Sequence, residues 1–153
     1  PQFRRNLQEL FRLQSTYWAV IRRSLRQPVD PGLFSELLSQ FHMVYHEAVQ
    51  YADRLPAEQA AYHRVRLVVL WNMFSELEQT EGLIQSGAVS TEEIPALDVL
   101  ASQLEVRISP PRELESINSD ALPRDELYYV INRYLENART LSGQAPPPVP
   151  VAI

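Results

Sequence analysis

Apolar side chains recur along this chain at helical spacing, and prolines and glycines cut the pattern into segments. Phe3, Leu7, Phe11, Trp18, Ile21 and Leu25 follow at steps of 4, 4, 7, 3 and 4, with Gln14 in the gap. That is one face of a helix from about Phe3 to Gln27, which Pro28 stops. Asp30 followed by Pro31 is a helix start, because Asp accepts from free N–H groups and proline at the first position has none to lose. Phe34, Leu38, Phe41, Tyr45, Ala48 and Ala52 then step by 4, 3, 4, 3 and 4. This spacing suits a near-antiparallel neighbour. Pro56 ends the second helix.

The third helix is predicted over Ala57–Ser86, with Gly87 as its cap. Its centre, Val65 to Phe74, is apolar nearly all round. Such a helix is expected to lie at the middle of its bundle or at an oligomer interface, so Val68 and Trp71 become candidate interface residues. A fourth helix opens on Ser90-Thr91-Glu92-Glu93, an S-x-x-E capping box with Val89 and Ile94 as a hydrophobic staple. Pro95 fits that start poorly. Leu97, Leu100, Leu104 and Ile108 supply its stripe, and Pro110 and Pro111 end it. A connecting stretch follows, with one helical turn expected at Arg112–Ile117. The fifth helix is predicted from Pro123 to Leu141, capped by Gly143, with Leu127, Val130, Ile131, Tyr134, Ala138 and Leu141 inward. Tyr128 and Tyr129 are adjacent, so one of them must face out.

Strand-like alternation is confined to ambiguous fragments such as Leu104–Ile108, and there is no internal repeat. The expected fold is all-α: an antiparallel bundle of four to five helices over residues 1–142. A proline-rich extended tail or linker over 143–153 follows. Pro147 and Pro150 make a minimal PxxP without a flanking arginine, which reads better as a spacer than as a ligand motif.

Composition narrows the function. With 153 residues, 45% of them apolar, one core can bury about 68–70% of the unfolded chain's surface. No run of about 18 apolar residues offers a membrane span. There is no cysteine, which excludes disulfides, thiolate catalysis and Cys-ligated metal. All 14 basic residues are arginine, so Schiff-base and P-loop lysine chemistry are excluded. Four glycines leave little room for a phosphate-cradling loop.

The net charge of −5 is unevenly spread. Residues 1–27 hold Arg4, Arg5, Arg12, Arg22, Arg23 and Arg26 against Glu9 alone, whereas residues 76–126 hold 12 acids and three arginines. The basic first helix is therefore expected to lie near the acidic C-terminal half. Arg5, Arg12 and Arg26 share one stripe, but an acidic domain whose aromatics point inward does not suit nucleic acid.

Three constellations could carry chemistry. His42 and His46 lie on successive turns of the second helix, with Glu47 beside them, and a short turn brings His63 toward them. Together the three histidines could hold a metal ion. The acid between the histidines that zinc proteases use is missing, as is the Glu-x-x-His pair of di-iron bundles. Arg66 lies in the most apolar part of the chain and needs an anionic partner. That partner is Glu78 or Glu105, or a small anionic ligand in a bundle pocket with Asn72 as the second polar group. No serine sits in a nucleophile elbow and no glycine-rich loop is present, so neither a catalytic set nor a cofactor is expected.

Both ends look cut, from Pro1 to the closing Ala-Pro-Pro-Pro-Val-Pro-Val-Ala-Ile. The leading reading is a non-catalytic sensing or protein-interaction domain excised from a larger bacterial signalling protein. Its membrane contact would come only through a segment outside this chain, tethering it to the inner membrane. The expected partner is a protein or a second copy. The alternatives are a metal-binding bundle using His42, His46 and His63, and a binder of a small anion at Arg66.

Overall fold

In the computed structural model, which describes residues 2–143, the chain is all-helical. Five α-helices follow in order: α1 (Gln2–Ser24), α2 (Pro31–Asp53), α3 (Ala57–Gln85), α4 (Ile94–Arg107) and α5 (Glu126–Gly143). A single 3-10 turn, Leu114–Ser116, lies between the last two, and no strand forms among the described residues. Gly143, expected to open the tail, is the last residue of α5. The proline-rich segment beyond it lies outside the described residues.

The helix ends follow local chemistry. The Asp30 carboxylate accepts the Gly32 N–H at 2.9 Å, with Pro31 in the first turn of α2. After α3 the chain turns through Gly87 at φ +77°, a conformation that costs a residue with a Cβ. There the N–H of Ala88 reaches the Leu83 carbonyl and that of Gly87 the Ile84 carbonyl, so two otherwise orphaned acceptors are satisfied. The fourth helix departs from expectation. Glu93 does accept from the Ser90 N–H and hydroxyl, at 3.3 and 3.1 Å, but around a turn that precedes the helix. With the start moved to Ile94, Pro95 falls in the first turn, where its missing N–H costs nothing. α5 likewise starts at Glu126 rather than Pro123, and the Asp125 carboxylate accepts the Tyr128 N–H at 3.4 Å.

Short turns make α1–α2 and α2–α3 antiparallel. α4 runs antiparallel to α1, with Ser15 bonded to the Glu105 carbonyl and Arg26 to Asp98. α5 runs antiparallel to α3, from Arg133 beside Gln79 to the Leu141 carbonyl beside Arg66. α1 and α3 run the same way, with Phe3 against His63 and Tyr17 against Phe74. α4 and α5 therefore share a direction, and residues 108–125 carry the chain back between them. That return segment lies along α5: the Ile117 carbonyl accepts Arg139, and the Ser119 hydroxyl bonds to Asn132.

α1 is the most enclosed helix; the third helix, expected at the middle of the bundle or at an oligomer interface, packs on α5, α2 and α1 and leaves part of its apolar middle exposed. α1 packs on α2, α3 and α4, and meets α5 through Trp18 and Tyr134, whose rings are 5.2 Å apart and edge to face. Leu10, Leu13, Gln14, Tyr17, Trp18, Val20 and Ile21 are all buried, which is more than one stripe. Phe3, Leu7 and Phe11, expected on the inner face, are only partly buried. The expected neutralisation of the basic helix holds at its C-terminal end. There Arg22 and Arg26 lie 3.2 and 3.1 Å from Asp98, and Arg22 is 3.7 Å from Glu105.

One polar contact crosses the core. The Tyr134 hydroxyl donates to Gln14 Oε1 at 2.7 Å, and Gln14 is wholly buried. Removing one partner strands the other in an apolar interior, whereas replacing both leaves nothing unsatisfied. Tyr134→Phe is expected to cost about 1–3 kcal/mol, and adding Gln14→Leu should recover most of that loss. Urea unfolding of the two singles and the double checks this; strictly additive losses would show that the bond contributes nothing of its own.

Candidate functional site

The inward positions of α3 are Leu67, Leu70, Met73, Phe74 and Leu77. Between them Val65, Val68 and Trp71 follow at three-residue steps, a ridge on the opposite side of the helix. They remain 54%, 54% and 37% exposed. The apolar middle of α3 thus faces two ways, into the core and outward.

α2 supplies the other wall. The Tyr45 and His42 rings stand 4.8 and 5.0 Å from the Trp71 ring. Tyr45, expected wholly inward, is half-buried and turned toward Trp71, and burial pushes its phenol above the ordinary range. Behind it Phe41 stacks on Phe74 with centroids 3.9 Å apart and planes 15° apart. The surface aromatics therefore sit on a rigid aromatic base that is part of the core. Tyr45, His46, Val68 and Trp71 line a shallow groove of about 220 Å³. Such a face offers apolar area and aromatic edges, the surface type enriched at the centre of protein contacts.

The histidines do not assemble a metal site. The His42 and His46 rings lie side by side, 6.5 Å apart, flanking the groove. His63 points elsewhere, against Phe3 and Tyr62 at 4.7 and 4.9 Å. Burial, helped by the Arg66 charge, holds the His63 imidazole below its ordinary pKa. No three His, Asp or Glu side chains gather in a way that could hold an ion among the described residues.

Arg66 finds neither expected glutamate. Glu105 faces Arg22, and Glu78 lines a groove with Tyr17 and Glu81. The Arg66 guanidinium instead donates to the Leu141 carbonyl at 2.9 Å and lies over the Tyr62 ring, 5.3 Å from its centroid. Its side is that of the α1 N-terminal half, where it lines a cleft with Arg4, Arg5 and Arg12. Asn72 is not with it. Asn72 lines a separate polar groove between α3 and α5, beside Glu76, Gln79 and Asn137. The arginine cleft was illegible in the sequence, because its far wall is the Ser109–Pro111 loop and nothing in the helical periodicity places that loop on α1.

The chain matches no protein-family model, no curated protein and no solved structure.

Glu76, in the Asn72 groove, is a buried carboxylate. Asn137 Nδ2 donates to both its oxygens, at 3.0 and 3.2 Å, and Arg133 is 3.9 Å away. Burial outweighs both and raises its pKa above 4.5. The folded state then binds this proton more tightly than the unfolded chain does. Its contribution to stability falls as pH rises through the window from 4.5 to the raised native value. Glu76→Gln should therefore gain stability relative to the wild type at neutral pH. The gap should shrink as both are titrated below that window, as read from urea unfolding across pH. Parallel stability curves would refute this.

Proposed function

We propose that this chain is a non-catalytic protein-interaction domain that pairs with a second copy of itself through the α2–α3 face. The observation that carries the reading is the exposed ridge of Val65, Val68 and Trp71 beside the half-buried Tyr45. Large apolar side chains clustered on one face are uncommon on a monomer surface unless they serve contact.

The spacing favours a second copy. Val65 and Trp71 stand three residues on either side of Val68. Two α3 helices crossing antiparallel about a twofold axis at Val68 bring Val65 of each against Trp71 of the other. Twofold pairing needs only a self-complementary patch, and it is the commonest closed assembly. The Trp71 indole, edge to face with His42 and tilted against Tyr45, enters such a contact with its orientation already restricted, so less side-chain freedom is lost. Sensing within a larger protein is the wider form of this reading. A small helix shift at the paired face is the kind of motion by which bundles pass a signal on.

At micromolar concentration the wild type is expected to show twice the 17.6 kDa of one chain in light scattering. Val68→Asp should give the single-chain mass. Because Val68 is exposed, its unfolding free energy should stay within about 0.5 kcal/mol of the wild type. A wild type that stays monomeric, or a Val68→Asp variant that stays dimeric, would sink the proposal.

A further inference from the structure

His42 and His46 lie on successive turns of α2, on the side that faces the aromatic groove. Their rings are 6.5 Å apart with planes 27° apart. Two imidazoles at this spacing on one helix face can converge on a single ion, the geometry that helical zinc motifs use. One chain stops at two. His63 is turned to Phe3 and Tyr62, and no third His, Asp or Glu joins the pair to hold an ion among the described residues. The two rings are not equivalent. His42 is half-buried and meets the Trp71 ring edge to face at 5.0 Å, so its orientation is restricted in advance. His46 is exposed, so its ring is free to turn toward an ion.

Helix register decides where further ligands come from. α2 and α3 run antiparallel. His42 and Tyr45 stand beside Trp71, and His46, one turn beyond His42 on α2, lines the groove with Val68. A twofold axis that crosses α3 at Val68 and runs toward α2 therefore passes beside His46. Such an axis lays α2 of the second copy antiparallel over α2 of the first. The two His46 side chains meet near the axis, with a His42 one turn away on either side. Four imidazoles then surround one point, and four soft-to-borderline donors in a closed set suit tetrahedral zinc. The local charge agrees. Glu47 adjoins His46, Glu78 of α3 lies within electrostatic reach of His42, and no arginine lines the groove among the described residues.

We propose that two copies of the chain, paired through the α2–α3 face, share one zinc-class divalent ion held by His42 and His46 of each. The site rests on the pairing proposed above and adds a regulator to it. An ion that needs ligands from both copies binds the paired form alone, so it strengthens pairing by mass action. Magnesium, which prefers oxygen ligands, gains nothing from four imidazoles.

The test uses the full chain stripped with EDTA and then titrated with zinc chloride. Analytical ultracentrifugation over a range of chain concentrations reads the pairing, and elemental analysis after gel filtration counts the metal. About one zinc per two chains is expected, with pairing at least about tenfold tighter in saturating zinc and unmoved by magnesium. His46→Ala and His42→Ala should each lose the zinc response, and His46→Ala should keep the metal-free pairing. His63→Ala should leave the response intact. One zinc for every chain, a response that survives in His46→Ala, or a pair that ignores zinc would overturn the shared site and leave the metal-free pairing standing. A chain that is single without zinc and paired with it would support the site and overturn pairing by apolar contact alone. A chain that stays single in both conditions would overturn both.

Discussion

The fold depends on burying one helix from all sides. α1 touches α2, α3 and α4 along its length and α5 through the Trp18–Tyr134 contact. A helix so enclosed can expose polar groups only near its ends, so from Leu13 to Ile21 its side chains are buried or half-buried. Gln14 fits there because Tyr134 bonds it. The arginines are pushed to the two ends of α1, and the ends then differ. One is neutralised by Asp98 and Glu105 of α4. The other meets a proline loop and α3, and there Arg12 pairs with Glu9 of its own helix. The arginine cleft is thus a consequence of how the core is closed.

Much of this was legible in the sequence. Apolar periodicity with Asp30–Pro31, Pro56, Gly87 and Pro110–Pro111 marks helices whose ends fall within a few residues of the observed ones, because capping and proline geometry act locally. What periodicity cannot reveal is which helix is enclosed. An outward Val65 or Val68 and an inward Leu67 look equally apolar, so the pattern leaves open whether the second apolar side of α3 is core or an interface. The first helix read as a single stripe running through Gln14, whereas Asn6, Leu10, Leu13, Tyr17 and Val20 are buried beside it. Arg66 was singled out for the right reason, a charge among apolar neighbours. Apart from Tyr62, its surroundings come from residues 43 to 75 positions away in the chain, and local pattern carries no information about those.

α3 is the element that serves both surfaces. Val65 and Arg66 are consecutive, so the backbone direction alone sends one outward beside α2 and the other toward α1 and α5. The aromatic stack of Phe41 on Phe74 holds the first surface to the core, and the Leu141 carbonyl holds the second. The first is therefore presented by packed helices alone, whereas the second takes its far wall from the Ser109–Pro111 loop.

The return of the chain through residues 108–125 bears on how the molecule is made. α1 is synthesised before the other four helices, yet Ser15 waits for Glu105, 90 residues on, and Gln14 for Tyr134, 120 residues on. The first three helices can gather by short turns as they emerge. Closing α1 requires the long-range contacts of α4 and α5, whose loop entropy is met last. Until α5 has emerged from the ribosome, the side of Trp18 that meets Tyr134 stays uncovered, so this buried indole is among the last core groups to be enclosed.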